Sequence, residues 1–328
     1  MTSPVLHQGS VLLLDCLQER RARLFSRPRE VLTCRDLKCV DVILVAVEKA
    51  RRAGFHIAGF LAYVLGYAFE EKLRHQWTGN GDLLAWFGIY DEPVEFSLEQ
   101  AKSLLGKASE GKSGGLETLV FDWSEGDYGS AFDQVQGHLA RGDVYQVNLT
   151  MPVRGNYHGN AADIYALLKD RQPVRYGGII SLGGAQIVTL SPELFFKKDG
   201  DHVTMKPMKG TAARGQNPAD DEGRARGLKA DIKNRAENLM IVDLLRNDLS
   251  RIARTGSVKV NDLFAVESYP SLHTMTSGVS GALHEGAGLA QLLKALFPCG
   301  SVTGAPKIRA MEIIRDLESS PRGVYCGA

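Results

Sequence analysis

Five short segments carry polar groups whose types and spacing suit work on an anionic substrate. In Lys206-Pro-Met-Lys-Gly-Thr-Ala-Ala-Arg-Gly215, small residues after Lys209 let the backbone approach a ligand closely. Gly210, Thr211, Arg214 and Gly215 offer it amide donors, a hydroxyl and a guanidinium, although a solvated loop is the structural alternative. Glu237, in Asp231 to Asn238, shares a helical face with Met240, Ile241 and Leu244, and a carboxylate drawn toward an apolar face needs a cation or a metal. Lys233, four residues earlier, offers an ordinary helix ion pair instead. Gly300-Ser-Val-Thr-Gly-Ala-Pro-Lys307 is a Gly-rich turn feeding a helix N-terminus, a sound anion site. It departs from the Walker pattern, with three residues between the glycines and Ala-Pro-Lys after them, so ATP is not the expected ligand. Ser191-Pro-Glu193 places an acid at a strand mouth, either a general acid or an exposed glutamate. His273, in Tyr269 to Ser277, reads as a base or as a hydrogen-bonded structural residue. The histidines show no metal-ligand spacing, and neither G-x-S-x-G nor H-E-x-x-H occurs.

Mixed elements must position these groups. Val11 to Leu14 and Ile57 to Phe69 read as strands, and Leu37 to Arg52 as a helix with Val40, Leu44 and Val47 on one face. Ala101 to Leu116, polar and rich in Gly, Ser and Lys, is the best linker candidate. A helix over Tyr128 to Arg141 and a strand over Val144 to Pro152 follow, then a helix over Ala161 to Lys169. Four short strands between Gly178 and Lys206, joined by Gly-containing turns, favour antiparallel pairing. From Arg224 to Ala253 the spacing predicts one long helix, with Leu228, Ile232, Ala236, Leu239, Val242, Leu245, Leu249 and Ile252 as a continuous apolar stripe. A last helix starts near Pro306 and presents Ile308, Met311, Ile314 and Leu317.

Composition narrows the function class. The 328 residues include 39 Lys and Arg against 38 Asp and Glu, a net charge of +1, so a polybasic nucleic-acid binder is not expected. No apolar run reaches the ~20 residues of a membrane helix. The five cysteines are scattered and odd in number, arguing against a disulfide framework and a zinc site and for the cytoplasm. Gly is in excess, at 35 residues, and Gly210, Gly215, Gly300 and Gly304 are expected to bring backbone amides close to the anion.

In order along the chain, Gly142 to Thr150, Ser191 to Phe195, Pro207 to Thr211, Lys233 to Asp248 and Gly300 to Met311 resemble the chorismate-utilising enzymes. The nearest branch is aminodeoxychorismate synthase component I, and Ala58 to Tyr67 resembles the family more weakly. The resemblance implies an α/β (α+β) fold of two large, mostly antiparallel sheets packed face to face with surrounding helices. It implies an N-terminal lobe over 1–110, a catalytic core over 118–328, and a Mg²⁺-dependent reaction on chorismate in the folate route. By the same resemblance Glu193 protonates the departing ring hydroxyl and Lys209 is the nucleophile that adds to ring C2. His273 matches the family's active-site histidine, Gly210 and Thr211 hold a carboxylate, and Glu237 is a Mg²⁺ ligand. Arg214 and Lys307 join the substrate-binding set as cations. A lysine of ordinary pKa, ~10.4, costs roughly 4.6 kcal/mol to deprotonate at pH 7, so the site must depress it. Anthranilate synthases resemble this chain elsewhere but typically have Ala in place of Lys209, which favours 4-amino-4-deoxychorismate as product. Ammonia would come from a glutamine amidotransferase subunit. Anthranilate synthase component I and a non-catalytic chorismate-binding or interaction protein are the alternatives; the presence of Glu193, Lys209, Glu237 and His273 favours an enzyme.

Members of the family continue past Tyr325-Cys-Gly-Ala328 with further strands and substrate contacts. The fold is therefore expected to lack its last strands, and the polypeptide alone to be poorly stable and inactive. Thermal denaturation and chorismate turnover check this: a cooperative transition in the range of ordinary domains, ~45–65 °C, would overturn the first expectation, and product formation the second.

Overall fold

The computed structural model of the chain describes residues 6–75, 77, 79, 81–108 and 114–328. The first elements are β1 (Val11–Asp15), β2 (Arg21–Phe25), β3 (Glu30–Cys34), α1 (Val40–Arg52), β4 (His56–Leu61), α2 (Glu71–Arg74), β5 (Ala85–Tyr90), β6 (Val94–Ser97) and α3 (Leu98–Ala108). Next come β7 (Gly115–Phe121), α4 (Glu125–Ala140), β8 (Gln146–Val147), β9 (Val153–His158), α5 (Ala161–Arg171), β10 (Tyr176–Ser181) and β11 (Gln186–Ser191). The remainder is β12 (Leu194–Asp199), β13 (His202–Lys206), β14 (Met208–Ala213), α6 (Pro218–Ala230), α7 (Ile232–Ser250), β15 (Lys259–Ser268), β16 (Leu272–Ala282), α8 (Leu289–Leu296), β17 (Gly304–Ala305) and α9 (Lys307–Leu317).

These elements form two compact units, each discontinuous in sequence. One holds the described residues of 1–61, 79–120 and 153–193, the other those of 62–78, 121–152 and 194–328. The expected division between 1–110 and 118–328 is therefore not where the contacts separate. Ala101 to Leu116 is not a linker: Ala101 and Leu105 on α3 are buried in one core with Leu12, Leu14, Leu24, Tyr165 and Ile179. Residues 109–113 of that stretch lie outside the described residues. In the first unit a five-stranded sheet has the order β11-β10-β1-β2-β6, with every pairing antiparallel. A second sheet, β3-β5-β4, is covered by α1, whose Val40, Leu44 and Val47 are buried as the spacing predicts. Cys34 and Cys39 form a disulfide, contrary to expectation: the turn at Leu37–Cys39 folds the chain back until their Cα atoms stand 5.9 Å apart.

The second unit is built on β16. β15 runs along one edge, while β13 and β14 lie end to end along the other, with β12 outside β13. Pro207, which has no N–H to give to a ladder, separates β13 from β14. Against one face of this sheet α7 buries Ile241, Val242, Leu245 and Leu249 on Val203, Met205 and Val279. Full burial of side chains of this kind contributes roughly 1.5–3 kcal/mol each.

Other sequence expectations fail locally: of the strand expected over Val144 to Pro152 only Gln146–Val147 forms. The long helix is two helices, because Asp231 is extended (φ −65°, ψ 119°) and its carboxylate accepts from the Asn234 N–H at 2.7 Å, capping α7. The cap rotates the face: Ile232 and Leu239 of the expected stripe are 83% and 50% exposed, and the buried face includes Asn238 and Asp248 instead. Ile57 to Phe69 is a strand only as far as Leu61, then a 3₁₀ turn over Tyr63–Phe69. No helix among the described residues is long and apolar enough to cross a membrane.

A charge pair joins two helices inside the second unit. Lys307, at the start of α9, donates to Asp248 of α7 at 2.7 Å and to the Leu296 carbonyl at 3.3 Å, and both charged side chains are buried. Burial pushes the Asp248 carboxyl above its ordinary range, against the lowering effect of Lys307. Lys307→Met alone should lower unfolding free energy by about 3–5 kcal/mol, since it strands a buried acid, and adding Asp248→Leu should restore most of it. Urea denaturation of the single and double variants measures this; a double variant no better than the single would contradict it.

Candidate active site

The site begins with a defect in a strand. In the β14–β16 ladder Met208 faces Thr276 and Thr211 faces Thr274, so three steps on one strand match two on the other. Lys209 and Gly210 occupy the resulting bulge, a device that re-aims side chains next to functional sites. Gly210 has φ +93°, and a Cβ there would come within 3.0 Å of the Asn234 side chain on α7. Glycine is thus required twice, for its conformation and for its size. The Gly210 carbonyl accepts from Thr274 Oγ1 at 3.2 Å, which ties the bulge to the central strand.

Over this strand α7 is fixed by a buried polar network. Ser277 Oγ on β16 donates to Asn238 Oδ1 at 2.6 Å and accepts from the Phe264 N–H at 3.0 Å. Asn238, 1% exposed, also donates to the Met275 carbonyl at 3.5 Å. Satisfied buried groups of this kind specify one register of helix on sheet. Glu237, the next residue, has a side chain 37% exposed, and its contact with Lys233, at 4.0 Å, is at the outer limit of an ion pair. Among the described residues no three His, Cys, Asp or Glu gather as a metal-binding group. The half-exposed Glu237 carboxylate is a hard oxygen donor of the kind that Mg²⁺ prefers.

The other expected residues are placed as follows. Lys209, Gly210, Thr211, Glu237 and His273 belong to the second unit, whereas Glu193 lies in the first, just after β11, its carbonyl accepting from Ser191 Oγ at 3.4 Å. His273 is 1% exposed, with Nε2 2.9 Å from Asp221 Oδ1 and Nδ1 2.8 Å from Ser268 Oγ. Arg214 does not stand open to an anion: its Nε and Nη2 pair with Asp221 at 2.7 and 2.6 Å, and Nη1 donates to the Tyr269 carbonyl at 2.6 Å. Lys307 is likewise withdrawn from a substrate role by Asp248. The glycine loop before it is buried: a Cβ on Gly300 would strike Leu244, and one on Gly304 the Gln146 carbonyl. At those two positions the missing side chain permits close packing of protein on protein. The sequence reading missed Asp221, Asn238 and Ser277. Asp221 lies in the first turn of α6, ahead of the helix expected from Arg224, and its partner His273 lies 52 residues away, where no local spacing reveals it.

The sequence pattern of the chorismate binding enzymes matches residues 9–328. The chain belongs to this family. Among curated relatives, aminodeoxychorismate synthase component 1 of Escherichia coli K12 is 42% identical over 215 residues, 64% of this chain and 48% of that protein. Anthranilate synthase component 1 of Haloferax volcanii is 38% identical over 242 residues, 73% of this chain and 46% of that one. The chain spans about half the length of the curated relatives it matches. Anthranilate synthase component I of Streptococcus pneumoniae superposes with a TM-score of 0.79 at 25% identity, covering 96% of this chain and 81% of that one. The menaquinone-specific isochorismate synthase of Escherichia coli, at 17% identity and a TM-score of 0.73, covers 99% of this chain and 76% of that one and shares the fold. This member of the family thus has the mixed α and β architecture expected of it, with antiparallel sheets and surrounding helices.

The bulge makes a test independent of turnover. Gly210→Ala forces a side chain into a left-handed conformation against Asn234 and should cost roughly 1–3 kcal/mol. Asn234→Ala in the same background should recover part of that loss by removing the collision, leaving the backbone strain. Denaturation midpoints measure both, and an unaffected Gly210→Ala would mean that the bulge has no fixed conformation.

Proposed function

We propose that the chain carries residues of the chorismate-aminating site of an aminodeoxychorismate synthase component I. The observation that supports this reading most is a lysine, Lys209, set in the strand bulge where the family's anthranilate-forming members typically have alanine. The matched aminodeoxychorismate synthases agree with it, and the matched anthranilate synthases define the competing reading.

Chorismate has two carboxylates and a poor leaving group at ring C4. In the proposed reaction the Lys209 amine bonds to C2 while the C4–oxygen bond breaks, and Glu193 supplies the proton with which the hydroxyl departs as water. Ammonia then bonds to C4, the C2–nitrogen bond breaks, and Lys209 is released. The Gly210 N–H and the Thr211 hydroxyl would hold a substrate carboxylate beside the bulge. Glu237 would hold Mg²⁺, which when bound would neutralise a substrate carboxylate. His273 is given no proton-transfer step, because both of its ring nitrogens already face protein partners. Ammonia would be delivered by a partner glutamine amidotransferase, in the cytoplasm.

The test is incubation of the full gene product with chorismate, Mg²⁺ and an ammonium salt, followed by chromatography. 4-Amino-4-deoxychorismate is the expected product, and anthranilate as the main product would replace this reading with the other. Glu193→Gln should lower turnover by roughly 10²–10⁴-fold, the usual worth of a general acid. Lys209→Ala should abolish amination at C4.

A further inference from the structure

Four hydrogen bonds converge on one carboxylate next to the bulge. Asp221 accepts from Arg214 Nε at 2.7 Å and Nη2 at 2.6 Å, from the Gly215 N–H at 2.7 Å and from His273 Nε2 at 2.9 Å. The donors lie just past the end of β14 and on β16, while Asp221 stands in the first turn of α6. Arg214 first, then the Gly215 amide and His273, hold the Asp221 carboxyl well below the usual carboxylate range. It is therefore an acceptor at any ordinary pH, and the nitrogen of His273 that faces it must carry a proton.

The second ring nitrogen of His273 faces Ser268 Oγ, and Ser268 pairs with His273 in the β15–β16 ladder. One imidazole thus joins β15, β16 and, through Asp221, the end of β14. Ala212 faces His273 in the β14–β16 ladder, so the knot is one residue from Thr211 and three from Lys209. From the other side the bulge is limited by Asn234, leaving the strand little freedom to slide.

We infer that Asp221 is a positioning residue for the Lys209–Thr211 segment, holding β14 in register through Arg214 and Gly215 while locking His273 in one orientation. The inference rests on the proposed role of Lys209, and it deepens that role: His273 and Arg214 act through the strand and not on the substrate.

Asp221→Asn tests it, since a carboxamide keeps the shape but turns one acceptor into a donor facing Arg214 or His273. Three readouts need no chorismate. Nitrogen-15 NMR of the histidine-labelled protein, with Ser268→Ala and His273→Gln to assign the signal, should show His273 protonated at Nε2, and Asp221→Asn should change that state. Amide exchange should rise over β14 and the first half of β16 while α7 and the first unit stay as they were. The rate at which a limiting amine-acylating reagent labels Lys209 should change by roughly two- to tenfold, the range set by the net worth of one hydrogen bond, and Asp221→Glu should restore part of it. Unchanged NMR and labelling would overturn the inference. So would a uniform rise in exchange, which would assign Asp221 to stability alone. Should Asp221→Asn fail to fold, Ser268→Ala, at the exposed end of the network, should move the same readouts in a smaller degree, and its silence would overturn the inference equally. With chorismate, a fall in kcat at nearly constant KM is expected. Absence of amination would count against the function proposed above and leave the other three readouts standing.

Discussion

The second unit depends on one constraint: α7 must bury an apolar face and present a polar one along the same few turns. Ile241, Val242, Leu245 and Leu249 hold it to β13 and β16, and Asn238, hydrogen-bonded to Ser277, fixes its rotation on that surface. Glu237 and Asn234 then have defined places, because neither can turn without moving the buried face. Hydrophobic packing alone would let such a helix slide; one buried amide with definite partners sets the register. The Asp248–Lys307 pair at the far end of the helix does similar work at the contact with α9.

What the sequence could and could not disclose follows from the range of the forces involved. Antiparallel strands, the face of α1 and the start of α9 near Pro306 were readable because periodicity and local stiffness decide them. The break at Asp231 was missed because an apolar stripe can run in sequence across a capping residue, and only the cap shows that Leu228 and Ile232 face differently. For charged groups the sequence discloses type but not partner. Arg214 and Lys307 have the chemistry to hold an anion, and both are taken by carboxylates, one 7 and the other 59 residues away. A buried cation such as Lys307 requires a partner, and the partly exposed Arg214 also finds one within the protein.

Glycine illustrates the same limit. An excess of glycine near polar groups suggested backbone donors for a ligand, and at Gly210 the position beside Lys209 agrees with that use. Gly300 and Gly304 answer instead to Leu244 and the Gln146 carbonyl, so the close approach is protein to protein. A glycine in a loop shows that something comes near; it does not show what.

Pro207 gives the sheet an unequal division of labour. On one side of it β13 contributes Val203 and Met205, both fully buried, and tolerates little change of volume. On the other side β14 carries the irregular segment, paired to the same long strand but separated from β13 by a residue that cannot join the ladder. Alterations in the irregular half are thereby insulated from the packed half. A scaffold built in this way can exchange the residue held in the bulge without rebuilding its interior.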